Sequence, residues 1–215
     1  VTSSLVVTEI YASVQGESQY AGKPCTFVRL TGCPLRCRWC DTAYSFEGGT
    51  SKTLDEIIAT VKNIGVNLVE LTGGEPLAQK QTAELINRLI ELDYKVLIET
   101  GGSESLKGLH SKAHIIMDIK CPGSKMADRN LWDNLNELKP SDEIKFVLAD
   151  RNDYEWTRDI LKVHNLENRF NVLLSCAFGL LAPKDLVGWM LEDKLNVRLN
   201  LQQHKYIWNP RAKGV

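Results

Sequence analysis

The stretch Thr26-Phe27-Val28-Arg29-Leu30-Thr31-Gly32-Cys33-Pro34-Leu35-Arg36-Cys37-Arg38-Trp39-Cys40-Asp41-Thr42 sets a short apolar run directly before a loop with three closely spaced cysteines. The run Thr26–Leu30 is too short for a helix and rich in residues that suit a buried strand. Comparable runs follow at Asn67–Leu71, Lys95–Ile98, His114–Asp118, Glu143–Leu148, Asn171–Leu174 and Asn196–Leu201. Helical signals lie between them. Thr53-Leu54-Asp55-Glu56 reads as a capping box, Ile57, Ile58, Val61 and Ile64 share one face, and Gly65 supplies a stop. Thr82–Leu92 and Tyr154–Val163 repeat the amphipathic pattern, and Pro183 suits the first turn before Lys184–Leu191. Strands alternating with helices predict an α/β chain with right-handed crossovers and parallel strands, as an open doubly wound sheet or a partial (β/α) barrel.

In either architecture ligands gather at the carboxyl ends of the strands. Polar and glycine-rich residues collect there: Gly32-Cys33 after the first run, Thr72-Gly73-Gly74-Glu75-Pro76 after the second, and Glu99-Thr100-Gly101-Gly102 after the third. Lys120, Ser175 and Gln203-His204-Lys205 follow later runs. This asymmetry points to an enzyme.

The bulk numbers bound the answer. The 215 residues suit one domain, expected over 1–215, and the apolar fraction of 43% is that of an ordinary globular chain. Lys plus Arg (26) nearly cancel Asp plus Glu (27), so no basic stripe argues for nucleic acid and no basic amphipathic face for a membrane. Val1–Tyr11 is apolar in places but short, with no basic residue before it, and the chain opens on Val rather than Met. A signal peptide or spanning helix is not expected there, and the expectation is a cytoplasmic protein. In a reducing compartment, six cysteines point to metal or catalysis before disulfides.

Cys33, Cys37 and Cys40 can wrap one centre, since a loop lets their sulfurs converge. Iron–sulfur clusters take thiolate ligands, and three ligands on a four-iron cluster leave one iron open. Zinc is the alternative, but a structural zinc site wants four ligands, and Cys25, Cys121, Cys176 and the histidines offer no second close pair. Cys25, Cys121 and Cys176 read as small hydrophobes.

The spacing Cys-x-x-x-Cys-x-x-Cys resembles the signature of the radical S-adenosylmethionine (SAM) superfamily, and Gly73-Gly74-Glu75-Pro76 resembles that family's motif for the SAM amino group. The resemblance implies an incomplete (β/α) barrel of the radical SAM core type, a 4Fe-4S cluster and SAM, whose reductive cleavage yields a hydrogen-abstracting radical. Further residues narrow it. Ile10-Tyr11-Ala12-Ser13-Val14-Gln15-Gly16-Glu17-Ser18, Gly22-Lys23-Pro24, Phe27-Val28-Arg29-Leu30, Cys40-Asp41-Thr42, Glu99-Thr100-Gly101-Gly102, Asp118-Ile119-Lys120 and Gln203-His204-Lys205 together resemble the 7-carboxy-7-deazaguanine synthase family across nearly the whole chain.

That resemblance implies conversion of 6-carboxy-tetrahydropterin to 7-carboxy-7-deazaguanine with loss of ammonia, dependent on Mg²⁺. It implies pterin contacts from Val14, Gln15, Gly16, Glu17, Arg29, Thr100 and His204. It implies SAM or cluster contacts from Trp39, Asp41, Gly73, Gly74, Glu75, Gly102, Glu143, Ile144, Lys145, Ser175, Cys176, Ala177 and Phe178, and Mg²⁺ ligation by Thr42. An external flavodoxin or ferredoxin reductant and a homodimer are implied as well. The chemistry suits the residue types, because an arginine offers a planar fork for a carboxylate and Mg²⁺ prefers oxygen ligands. Arg29 could instead be a structural ion pair, and His204 a satisfied core histidine. Relatives differ at Leu174–Gly179, and here a tail of Trp208–Val215 is expected to displace the chain end from the site. A glycyl-radical-enzyme activase and a non-enzymatic metal-binding module are the competing readings.

Overall fold

The computed structural model describes residues 3–215, so Val1 and Thr2, where the leader reading begins, lie outside the described residues. Among the described residues nine strands form one sheet: β1 (Ser4–Val14), β2 (Pro24–Leu30), β3 (Thr50–Thr53), β4 (Leu68–Gly73), β5 (Lys95–Thr100), β6 (His114–Ile119), β7 (Glu143–Leu148), β8 (Asn171–Cys176) and β9 (Arg198–Leu199). Their order is β3-β1-β2-β4-β5-β6-β7-β8-β9. From β2 to β9 every pairing is parallel between successive strands, the winding of an incomplete barrel that stays open between β3 and β9.

The helices α1 (Leu54–Ile64), α2 (Thr82–Glu91), α3 (Arg151–Val163), α4 (Leu166–Arg169) and α5 (Pro183–Glu192) lie between strands in sequence, and α6 (His204–Ile207) ends the ordered elements. The Thr53 capping box forms, with the Glu56 carboxylate accepting from the Thr53 N–H at 2.7 Å, and Gly65 closes α1 in the left-handed region. Pro183 opens α5.

The structure departs from the regular alternation in three places. β1 and β3 add an antiparallel edge. β1 alternates exposed Ser4 and Val6 with buried Leu5 and Val7 before turning polar, so it offers no continuous apolar run. No α-helix links β5 to β6 or β6 to β7; short 3₁₀ turns serve the second link. The last strand is trimmed to Arg198–Leu199.

Two apolar layers follow from the pleat. Alternate side chains of the strands join the helices in one large core that includes Val28, Leu71, Ile98, Ile144 and Leu174. On the concave face, Cys25, Phe27, Leu68, Leu97 and Ile116 form a smaller plug, with Tyr11 and Tyr20 packed on it. Polar side chains stand above this plug toward the strand ends, and there the cavity opens. No helix among the described residues is long and apolar enough to cross a membrane.

Candidate active site

Above the plug lies a cavity of about 730 Å³, within the size range of small-molecule sites. Cys33, Cys37 and Cys40 line it from the loop after β2, all three as half-buried free thiols. That loop is braced against the turn after β6, where Arg38 N–H donates to the Ser124 carbonyl at 3.1 Å. Burial holds the Cys37 thiol above its ordinary value, opposed by the Lys120 ammonium. Trp39, Asp41 and Thr42 share the wall, with the Thr42 hydroxyl 3.7 Å from the Cys40 sulfur.

Next to the thiols, the backbone admits no side chain. Gly73 has φ +144, and a Cβ there would lie 2.1 Å from the Leu30 carbonyl oxygen. A Cβ on Gly74 would lie 2.2 Å from the Gly32 oxygen and 2.9 Å from the Cys33 Cβ. Glycine is required at both positions, and it leaves bare backbone beside the cysteines. Glu75 is not on the cavity wall. Its carboxylate accepts from Leu77 N–H (3.0 Å), Thr100 Oγ1 (2.9 Å) and Gly101 N–H (2.7 Å), so it ties the loops after β4 and β5 together.

The expected pterin contacts converge. Val14, Gln15, Gly16, Glu17, Arg29, Thr100 and His204 all line the cavity. Gly16 is held so close to His204 that a Cβ would meet Nδ1 at 2.4 Å. Burial keeps His204 below its ordinary value, favouring the neutral ring. Arg29 also makes the ion pair that the sequence left open: Nε donates to Glu9 at 2.8 Å and Nη2 to the Tyr11 hydroxyl at 2.9 Å. A β-bulge between Val7 and Glu9 places Glu9 opposite Arg29.

Other expected contacts fall elsewhere. Lys145 lines the cavity, but Glu143 lies one pleat deeper, where His114 Nε2 (2.7 Å) and Gln19 N–H (2.9 Å) occupy its carboxylate. Ile144 points into the helix-side core. Ala177 and Phe178 reach the wall; buried Ser175 instead accepts from Asn200 Nδ2 at 2.8 Å, and Cys176 lines a separate apolar pocket. Gly102 turns away, its carbonyl accepting from Leu131 N–H at 3.1 Å. The tail, expected to lead the chain away, returns: Pro210, Arg211, Ala212, Gly214 and Val215 line the cavity.

Sequence reasoning named Lys145 and quoted Glu99, Asp118 and Lys120 near the strand ends, but it missed Glu70 and the ring of buried and half-buried ionisable side chains that the five form. Glu70, Glu99, Asp118, Lys120 and Lys145 line the cavity from four adjacent strands and the loop after β6. Lys145 reaches Glu17 at 3.0 Å and also bonds Glu99, and Lys120 pairs with Asp118 at 2.8 Å. Burial opposes both ammonium charges, but the carboxylates outweigh it and hold both lysines above the ordinary value. Gln202 donates to Glu17 at 3.0 Å, and Lys205 pairs with Asp41 at 2.6 Å, fastening α6 to the cysteine loop.

The donor set fits an iron–sulfur cluster with SAM. Three thiols sit together at the mouth, bare glycine backbone adjoins them, and the buried Asp118 Oδ1 has no partner of its own among the described residues.

Comparison with known proteins agrees with this geometry. Residues 27–176 match the model of the radical SAM superfamily. The 7-carboxy-7-deazaguanine synthase of Koribacter versatilis is 48% identical, covering 97% of this chain and 99% of that protein. The protein of the same name from Chlorobaculum tepidum is 44% identical over 98% and 97%. The crystal structure of QueE from Escherichia coli superposes with a TM-score of 0.78 at 21% identity, covering 94% of this chain and 95% of that one, which is a likeness of fold. The chain belongs to the radical SAM superfamily and, within it, to the 7-carboxy-7-deazaguanine synthase family.

Proposed function

We propose that this chain, acting as one domain over 1–215, is a radical SAM lyase. It converts 6-carboxy-5,6,7,8-tetrahydropterin to 7-carboxy-7-deazaguanine with release of ammonia. The observation that carries this is one cavity lined by three half-buried thiols, two bare glycines, Arg29 and the buried Gln15 and Lys145. Cys33, Cys37 and Cys40 would hold the 4Fe-4S cluster, and Gly73 and Gly74 would give SAM close access to the backbone. When bound, the cluster and SAM supply reductive cleavage of SAM and abstraction of a hydrogen atom.

The chain's own residues bind and orient. Arg29 keeps guanidinium hydrogens beyond those given to Glu9 and Tyr11, enough to meet the substrate carboxylate. Gln15, Glu17 and backbone of Val14–Gly16 face the pterin edge, and neutral His204 closes that side. Thr42, on the cavity wall, would offer its hydroxyl to Mg²⁺ together with substrate oxygens. Trp39, Asp41, Ala177 and Phe178 frame the SAM side, while Glu75, Gly102, Glu143, Ile144, Ser175 and Cys176 support these positions from behind.

The reductant is an external flavodoxin or ferredoxin, and exposed Leu180, Tyr206 and Ile207 give a homodimer an apolar face to use. A glycyl-radical-enzyme activase needs a mouth open to a protein loop, and here residues 210–212 crowd it. Anaerobic incubation of reconstituted protein with SAM, Mg²⁺, reductant and the pterin, followed by mass spectrometry, tests the reading. Product of the expected mass supports it. Reductive SAM cleavage without product would favour the activase. Neither event with an intact cluster would leave a metal-binding module.

A further inference from the structure

Glu70 is the charged residue of β4, in the run Leu68-Val69-Glu70-Leu71-Thr72, and it stands on the apolar plug with 1% of its surface exposed. It faces Glu99 of β5, to which it is hydrogen-bonded, and Gln15, whose Nε2 donates to its carboxyl. Tyr11, Glu17, Cys25, Asp118 and Lys145 also face this group from β1, the loop after it, β2, β6 and β7. Two carboxyl groups joined by a hydrogen bond must hold a proton between them. The charge count agrees, since Glu17, Glu70 and Glu99 surround one ammonium, Lys145. Glu99 touches the lysine and Glu70 does not, so the proton resides on Glu70, which donates to Glu99 and accepts from Gln15.

Gln15 is thereby fixed. Its Oε1 accepts from the Glu17 N–H at 2.6 Å, and its nitrogen is turned to Glu70. One N–H and one oxygen lone pair of the carboxamide remain, and Gln15 lines the cavity. That donor–acceptor pair matches a ring lactam, which offers a C=O beside an N–H. We propose that Glu70 is a positioning residue that sets substrate specificity by locking the Gln15 carboxamide in the orientation that reads a lactam edge. The proposal rests on the pterin reading above for the identity of the ring. Burial and the neighbouring Glu99 charge push the Glu70 carboxyl well above the ordinary range, in keeping with a retained proton.

Two substitutions separate this role from mere packing. Glu70→Gln keeps an acceptor for Gln15 and a donor for Glu99, whereas Glu70→Met fills the space and offers neither. With both variants folded and loaded with cluster, Glu70→Met should raise KM for the pterin about tenfold or more, the effect of an amide left mispaired. Glu70→Gln should recover most of that affinity and lack the rise in KM expected of the wild type at alkaline pH. Infrared spectroscopy gives a readout independent of turnover: a buried protonated carboxyl band in the wild type at neutral pH, absent in Glu70→Gln. Wild-type KM in Glu70→Met, equal losses in both variants, or no protonated band would overturn the proposal. A wild type that shows the band but no turnover of the pterin would sink the pterin reading and leave the shared proton standing.

Discussion

Replacing Gly74 by alanine tests whether the loop after β4 shapes the cofactor site. The added Cβ would sit 2.2 Å from the Gly32 oxygen and 2.9 Å from the Cys33 Cβ. Ordinary contact begins at 3.4 Å, so Gly32 and Gly74 must part by about 1.2 Å. Neither partner is the free end of a flexible side chain. The near hydrogen bonds are backbone ones, Gly74 N–H to Leu30 O at 3.1 Å and Glu75 N–H to Gly32 O at 2.8 Å, and the shift strains both. Overpacking of this kind costs about 1–3 kcal/mol, which lowers Tm by roughly 2–12 °C in a chain of this size. The fold should survive, but Cys33 moves with Gly32, and a ligand constellation tolerates only about 0.5 Å of displacement. The assay is iron and sulfide content after anaerobic reconstitution, with circular dichroism as the control for folding. Gly74→Ala should fold and hold well under half the wild-type iron. Full iron loading with wild-type SAM affinity would refute the reasoning.

Lys145→Met leaves the half-buried Glu17 and Glu99 without their buried cation and should cost about 2–3 kcal/mol at pH 7 by urea unfolding. Burial raises Glu99 but Lys145 outweighs it and holds it below the ordinary value, so the pair's contribution is present above the unfolded carboxyl value and fades as pH falls. The penalty should therefore shrink below about pH 4.5; a penalty constant with pH would contradict the pairing. Thr42→Ala should lower product formation on the order of tenfold, about 1.4 kcal/mol of barrier, with SAM cleavage much less affected. Equal loss of both would count against a role in Mg²⁺ binding. Burial and the nearby Asp185 push the Cys176 thiol up to about 11, so its alkylation by iodoacetamide should keep accelerating as pH rises from 8 to 10. A rate that levels off above about pH 9 would show a thiol of ordinary acidity.

Much of this was legible because the signals were local. The thiol spacing, the Gly-Gly turn, the Thr53 cap and the apolar runs of β2 and β4 through β8 depend on neighbours in sequence. What escaped was set by the curvature of the sheet. Glu70 and Lys145 stand within apolar runs and Glu99 and Asp118 at the ends of theirs, and a charge in a strand reads as a solvent-facing position. Only when the strands wrap do these four face one another across the cavity. The available signal was the recurrence itself, an ionisable residue among largely buried neighbours in each of four strands adjacent in the sheet. The same blindness to depth grouped Glu143 with Lys145, although they lie one pleat apart and Glu143 is occupied by His114. Arg29 was legible as a strand-end residue, but its partner Glu9 was not, because the bulge that aligns them leaves no mark in a single sequence.

In the proposed function the thiol loop and the polar floor serve one reaction, and SAM would be regenerated at each turnover. The most direct measurement counts 7-carboxy-7-deazaguanine formed per SAM consumed, by mass spectrometry, in anaerobic turnover of the reconstituted wild-type protein. The account predicts product in clear excess over SAM lost, with SAM recovered at the end. Stoichiometric loss of SAM, or cleavage of SAM with no deazaguanine formed, would contradict it.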